Sequence, residues 1–172
     1  MGFGWILPLV VLGSAALVGC ADRHSELSNS VAAHDAALRD MPRDFYRPGL
    51  GDQMNALQLR HEKLWFAGRA ANWSLAAFEL EEIEESLERV ARWHADNPDI
   101  PMAPSIKAYT QAGRYALTQS IAHGDGEAFA KSFDELTDGC NRCHQAAKHE
   151  FIVIRRPTSA SLTNQTWTPR DN

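Results

Sequence analysis

Cysteine is scarce in this chain of 172 residues, which has only three, at Cys20, Cys140 and Cys143. Once Cys140 and Cys143 have a shared use, no pair remains for a structural disulfide framework. Charge of one sign is also lacking: 17 Lys and Arg stand against 22 Asp and Glu, a formal net charge of -5. A protein that grips nucleic acid usually carries a basic face, so nucleic acid is not the expected partner. Long hydrophobic runs are missing too. The one apolar stretch, Trp5 to Val18, is shorter than the ~20 residues that cross a bilayer. There is no internal repeat, no low-complexity tract and no convincing alternating strand, with Phe151 to Ile154 the one segment open to that description.

What is present begins with that apolar stretch. Its position at the start of the chain and the small residues that follow it fit an export signal. Leu17-Val18-Gly19-Cys20 resembles the lipobox of bacterial lipoproteins. That resemblance implies cleavage before Cys20 and lipidation of its thiol and new amino terminus. Met1 to Trp5 departs from the pattern in having no Lys or Arg. Residues 1–19 are therefore expected as a lipoprotein signal peptide and 20–50 as a lipidated N-terminus and tether, with a short helix open to Ser30–Met41. Acyl chains at Cys20 would hold the mature chain on a membrane in an oxidising space outside the cytoplasm, the bacterial periplasm.

From residue 51 onwards the apolar spacing is helical. Met54, Leu57, His61, Leu64 and Gly68 step by three and four. Asn72 is placed to cap a second helix whose stripe is Trp73, Ala76, Leu80, Ile83, Leu87, Val90 and His94. Its opposite face, with Glu79, Glu82, Glu85, Glu88 and Arg89, is expected in solvent. Pro104 suits the first turn of a third helix, striped by Ile106, Thr110, Gly113, Leu117 and Ser120. A fourth carries Phe129, Phe133, Leu136, Cys140, Cys143 and Ala147, and Pro157 forbids helix beyond it. The expectation is an all-α fold, an antiparallel four-helix bundle over 51–157, with a polar tail over 158–172.

Within the fourth helix lies Cys140-Asn141-Arg142-Cys143-His144. Two thiols three residues apart share a helix face and can both form thioethers to the vinyl groups of one porphyrin. The next residue then offers its imidazole to the iron. One covalent haem c, with Cys140 and Cys143 attached and His144 ligating, is the expected cofactor. A zinc site would want further Cys or His at metal spacing, and a thioredoxin-type pair would want an α/β context.

A motif near the C-terminal end of the last of four helices resembles the class II cytochromes c, the cytochrome c-prime family with its methionine-ligated relatives. The resemblance spans about Leu50 to Phe151 and includes a Met early in the first helix. It implies that the haem sits near the end of helix four. Small class I cytochromes have the opposite order.

Register suggests a sixth ligand. His144 lies roughly 27 Å of helix from the turn at His123 to Gly126, and the same distance back from Ala70 along the first helix ends near Asp52. Met54 is thus at the level of the iron and is the first candidate. The alternative is that it fills core space. His61, two turns further on, is the rival ligand, and His94 the third. His24, His34, His123 and His149 are expected in tether, loop or surface. Trp65, Trp73 and Trp93 are expected as core or boundary aromatics, and Arg155 and Arg156 are candidates to pair with haem propionates.

Ligation decides function. With Met54 bound, the protein is expected to be a membrane-tethered electron carrier with a redox partner protein, and not an enzyme. With Met54 turned away, Leu57 and Ile106 would wall a five-coordinate haem that binds or senses gas. A peroxidase would need a distal acid/base group, for which His61 is the visible candidate. A homodimer is compatible with the sequence.

Overall fold

The computed structural model describes residue 1 and residues 15–40 and 47–170, with side chains from residue 23. It is all-helical, with five helices and no strand among the described residues. The apolar stretch expected as an export signal lies largely outside the described residues, and so does the Cys20 side chain. No helix of the described residues is long and apolar enough to cross a membrane.

The chain divides into two units, Met1–Arg47 and Pro48–Asn172. The first contains α1, Ala15–Asp40, much longer than the Ser30–Met41 helix expected. No Gly or Pro occurs between Ala21 and Asp40, so nothing in the sequence stops the helix. Arg23 to Asp40 is exposed throughout. Some of its polar side chains turn back on their own turn of helix: Ser30 Oγ donates to the Leu27 carbonyl and His34 Nδ1 to that of Ser30.

The second unit contains α2 (Leu50–Arg69), α3 (Trp73–Trp93), α4 (Met102–His123) and α5 (Gly126–Ala146). Their inward stripes meet in one core, in which Leu64, Leu117, Phe129, Phe133, Leu136 and Val90 have almost no exposed surface. Asn72 caps α3 by accepting from the Leu75 N–H, and Asp125 caps α5 by accepting from Glu127 and Ala128.

Three helix ends use one device. Ala71, Gly124 and Lys148 all take a left-handed φ, of 55°, 64° and 60°. At each, that residue and the next donate back into the last turn: Ala71 to Gly68 and Asn72 to Ala67, Gly124 to Ile121 and Asp125 to Ser120, Lys148 to Gln145 and His149 to His144. This reverses the chain sharply and satisfies the last carbonyls. Two of the three reversals lack the glycine that would mark them in a sequence.

Two further features differ from the sequence expectations. Glu79 is buried, not solvated: Arg60 meets its carboxylate at 3.0 Å and Lys63 at 3.8 Å. The long stems of these α2 cations cover it while their charges balance it. Residues 158–170, expected as a polar tail, lie against the helices. The Ser161 hydroxyl donates to the Glu62 carboxylate, Asn72 Nδ2 donates to the Trp167 carbonyl, and the Trp167 ring packs 5.5 Å from Phe66.

Candidate functional site

The α4–α5 contact sets the position of the site. A Cβ on Gly113 would stand 2.6 Å from the Leu136 nitrogen, and one on Gly139 2.2 Å from the Tyr109 carbonyl oxygen. Only glycine permits backbones so near one another. Past Gly139, α5 delivers Cys140, Cys143 and His144 to a cavity of about 200 Å³ with almost wholly apolar walls. Met54, Leu57 and His61 of α2 and Ile106 of α4 line the same cavity. Cys140, Cys143, His144, Met54, Leu57, His61 and Ile106 are thus brought together, while the third ligand candidate His94 is not.

Sequence reasoning missed part of the wall. Ile83 and Leu87 of α3 and Leu136 of α5 were recognised as helix-stripe residues only, although they line this space. Ile152 and Ile154, beyond α5, close it from another side. Phe151 to Ile154, the one segment open to a strand description in the sequence, has no strand partner among the described residues. The Asn141 side chain stands in for one, donating from Nδ2 to the Ile154 carbonyl at 2.9 Å and accepting the Ile154 N–H at 2.7 Å. Short-range spacing could not have shown a contact made by a chain reversal at a non-glycine residue.

Cys140 and Cys143 are unpaired thiols. Each is half-buried because it opens onto the cavity. Apolar surroundings disfavour the thiolate, pushing Cys140 up to about 12 and Cys143 upward as well. Both are held as neutral thiols.

The His144 ring is oriented by the returning chain: its Nδ1 lies 3.0 Å from the Ile152 carbonyl oxygen. A carbonyl only accepts, so Nδ1 carries a hydrogen, and in the neutral ring that leaves the lone pair on Nε2. This is the arrangement found behind ligating histidines in general.

His61 is tied differently. It is buried, its ring lies 4.3 Å from that of Phe133, and its Nε2 is 2.8 Å from Thr137 Oγ1. Thr137 gives its own hydroxyl proton to the Phe133 carbonyl, so it accepts from His61. Burial lowers the His61 pKa to about 4, leaving the ring neutral at pH 7. Nε2 is therefore already occupied. His94 is buried as well, with Gln53 Nε2 2.8 Å from its Nε2, and does not line the cavity.

Arg156 meets both Asp134 oxygens, the nearer to its Nη2 at 2.6 Å, and lies 4.7 Å over the Trp65 ring. Its guanidinium has a carboxylate partner within the chain. Arg155 lines an adjoining polar hollow with Gln58, His61 and Glu62. Trp65 and Trp73 pack on Phe129, away from the cavity, and Trp93 does not line it either. Among the described residues no three His, Cys, Asp or Glu side chains form a group that could hold a metal ion by themselves.

Comparison with protein-family models, curated proteins and solved structures gives no match, so residues and geometry alone carry the assignment of this site.

Proposed function

We propose that the chain is a monohaem c-type cytochrome that carries electrons while tethered to a membrane through Cys20, on the periplasmic side of a bacterial cell envelope. The observation that carries the proposal is that Cys140, Cys143 and His144 open together onto an apolar cavity that Met54 also lines. The donor set fits the group. Two neutral thiols one helical turn apart can add S–H across two vinyl groups, and the apolar wall suits a porphyrin face. The bare Nε2 of His144 suits iron.

In this proposal the protein is of the class II type, an antiparallel four-helix bundle. Support comes from the pairing of Gly68 with Phe129 and of His61 with Thr137, in which rising α2 numbers meet falling α5 numbers. Gly113 with Leu136 and Gly139 with Tyr109 relate α4 to α5 in the same way.

When bound, the haem supplies a one-electron iron couple. Cys140 and Cys143 would hold it, His144 would ligate from α5, and Met54 would offer its thioether as the second protein ligand. A Met ligand raises the potential and favours low-spin iron. The apolar wall from Leu57, Ile83, Leu87 and Ile106 keeps water from the metal. His61 keeps its hydrogen bond to Thr137 and takes no part in ligation. Neither a catalytic acid nor a base is assigned. The partner is a redox protein that meets the haem edge.

The test is optical spectroscopy of the purified protein, oxidised and reduced, with and without carbon monoxide. The expected result is a low-spin spectrum with the weak long-wavelength band of thioether-ligated ferric haem and no response to carbon monoxide. Met54→Leu should lose that band, lower the potential and bind carbon monoxide. A wild-type spectrum that is high-spin and shifts with carbon monoxide would overturn the electron carrier and favour a gas-binding protein walled by Leu57 and Ile106.

A further inference from the structure

We infer that Asn141, the first residue between the two thiols, is a positioning residue for the axial imidazole: it locks the returning segment at Ile154 so that the Ile152 carbonyl holds His144. The inference rests on the haem reading above and adds a specific role for a residue that the attachment motif leaves free to vary.

Five observations support it. Asn141 spends both ends of its amide on one residue, giving a hydrogen to the Ile154 carbonyl and taking one from the Ile154 N–H. Only one orientation of the amide makes both bonds, and a two-point bond fixes register as well as distance. Two residues earlier in the chain, the Ile152 carbonyl accepts from His144 Nδ1 at 3.0 Å. With Ile154 fixed, so short a link leaves that carbonyl little freedom.

Asn141 and His144 lie three apart on α5, on neighbouring positions of one helix face. Donor and clamp therefore face the same returning segment. The turn between is closed as well, with the left-handed φ at Lys148 and the Ile152 N–H donating to the His149 carbonyl at 2.9 Å. Arg156 ties the far end of the segment to Asp134 and to the Ala130 carbonyl.

The consequence is electronic. A hydrogen bond from Nδ1–H makes the imidazole a stronger donor at Nε2 and favours ferric iron. Without the clamp, the Ile152 carbonyl drifts and the Nδ1–H turns to water. The reduction equilibrium then shifts toward ferrous iron by up to about tenfold, or ~59 mV for one electron, since only the difference in the bond's strength between ferric and ferrous states counts.

The experiment uses the full-length protein as wild type, Asn141→Leu and Asn141→Gln. Covalent haem is first measured as the pyridine haemochrome. The midpoint potential is then measured, and exchange of the His144 Nδ1 proton is followed by NMR. Asn141→Leu is expected to raise the potential by up to that amount and to speed exchange by at least about tenfold, the equivalent loss of one bond. Asn141→Gln, with its amide displaced by one methylene, should fall between the two. It carries the test alone if Asn141→Leu does not accumulate. An unmoved potential and unmoved exchange in haem-loaded variants would overturn the inference and leave the haem reading intact. Absence of covalent haem from the wild type would instead overturn the haem reading. In that case unchanged exchange of the Ile154 amide in Asn141→Leu would overturn the clamp separately.

Discussion

At the scale of single residues, the same burial acts differently on thiols and imidazoles. Cys140 is pushed up to about 12 and His61 down to about 4, because the apolar interior disfavours whichever form is charged. For His61 this is a statement about stability. Unfolded, the ring takes a proton near pH 6.5; folded, it resists until about pH 4. Between those values the unfolded state binds more protons, so stability is fully present above the unfolded pKa and is lost as pH falls. The loss should reach up to about 3 kcal/mol on going from pH 7 to pH 4. Urea unfolding of wild type and His61→Leu across that range checks it: the difference between their pH slopes isolates the histidine from the carboxylates. Parallel slopes would show that His61 is solvated. His61 was legible in the sequence only as a polar residue on an apolar stripe. Its hydrogen bond to Thr137, 76 positions away, was not, because nothing local connects the two.

At the scale of elements, helices were legible where punctuation was strong. The break at Ala70 to Asn72, the cap at Asn72 and the stop at His123 to Gly126 all fall where side-chain chemistry puts them. What the stripes could not reveal is how close two helices come. Gly113 and Gly139 look alike in a sequence as weak helix formers, yet they let α4 and α5 touch backbone to backbone. Gly139→Ala should therefore cost about 1–3 kcal/mol despite alanine's better helix propensity, since the added methyl has the Tyr109 carbonyl in its way and must part the two helices. Thermal unfolding followed by circular dichroism measures this. A variant as stable as wild type, or more so, would mean that the contact is slack. On the proposed haem reading the same substitution should also lower the yield of covalent haem, because Cys140 follows Gly139 directly.

At the scale of the whole molecule, the division at residue 47 has a direct consequence. The core residues all belong to Pro48–Asn172, while Arg23 to Asp40 buries nothing. A chain beginning at Pro48 should unfold at the same midpoint as one beginning at Cys20, measured by circular dichroism. A lower midpoint would reveal contacts that stabilise the second unit from outside it. The sequence by itself determined the four helices of the second unit, the cap at Asn72 and the stop at His123 to Gly126, because each depends on residues within a turn or two of one another. Only the tertiary structure decided that Glu79 is enclosed by α2 cations, that residues 158–170 lie along the helices, and that Ile152 and Ile154 return over the cavity. Those outcomes depend on which groups from distant parts of the chain can satisfy one another. A carboxylate meets its cations, an amide finds a free backbone and a carbonyl finds an imidazole only after the helices have packed.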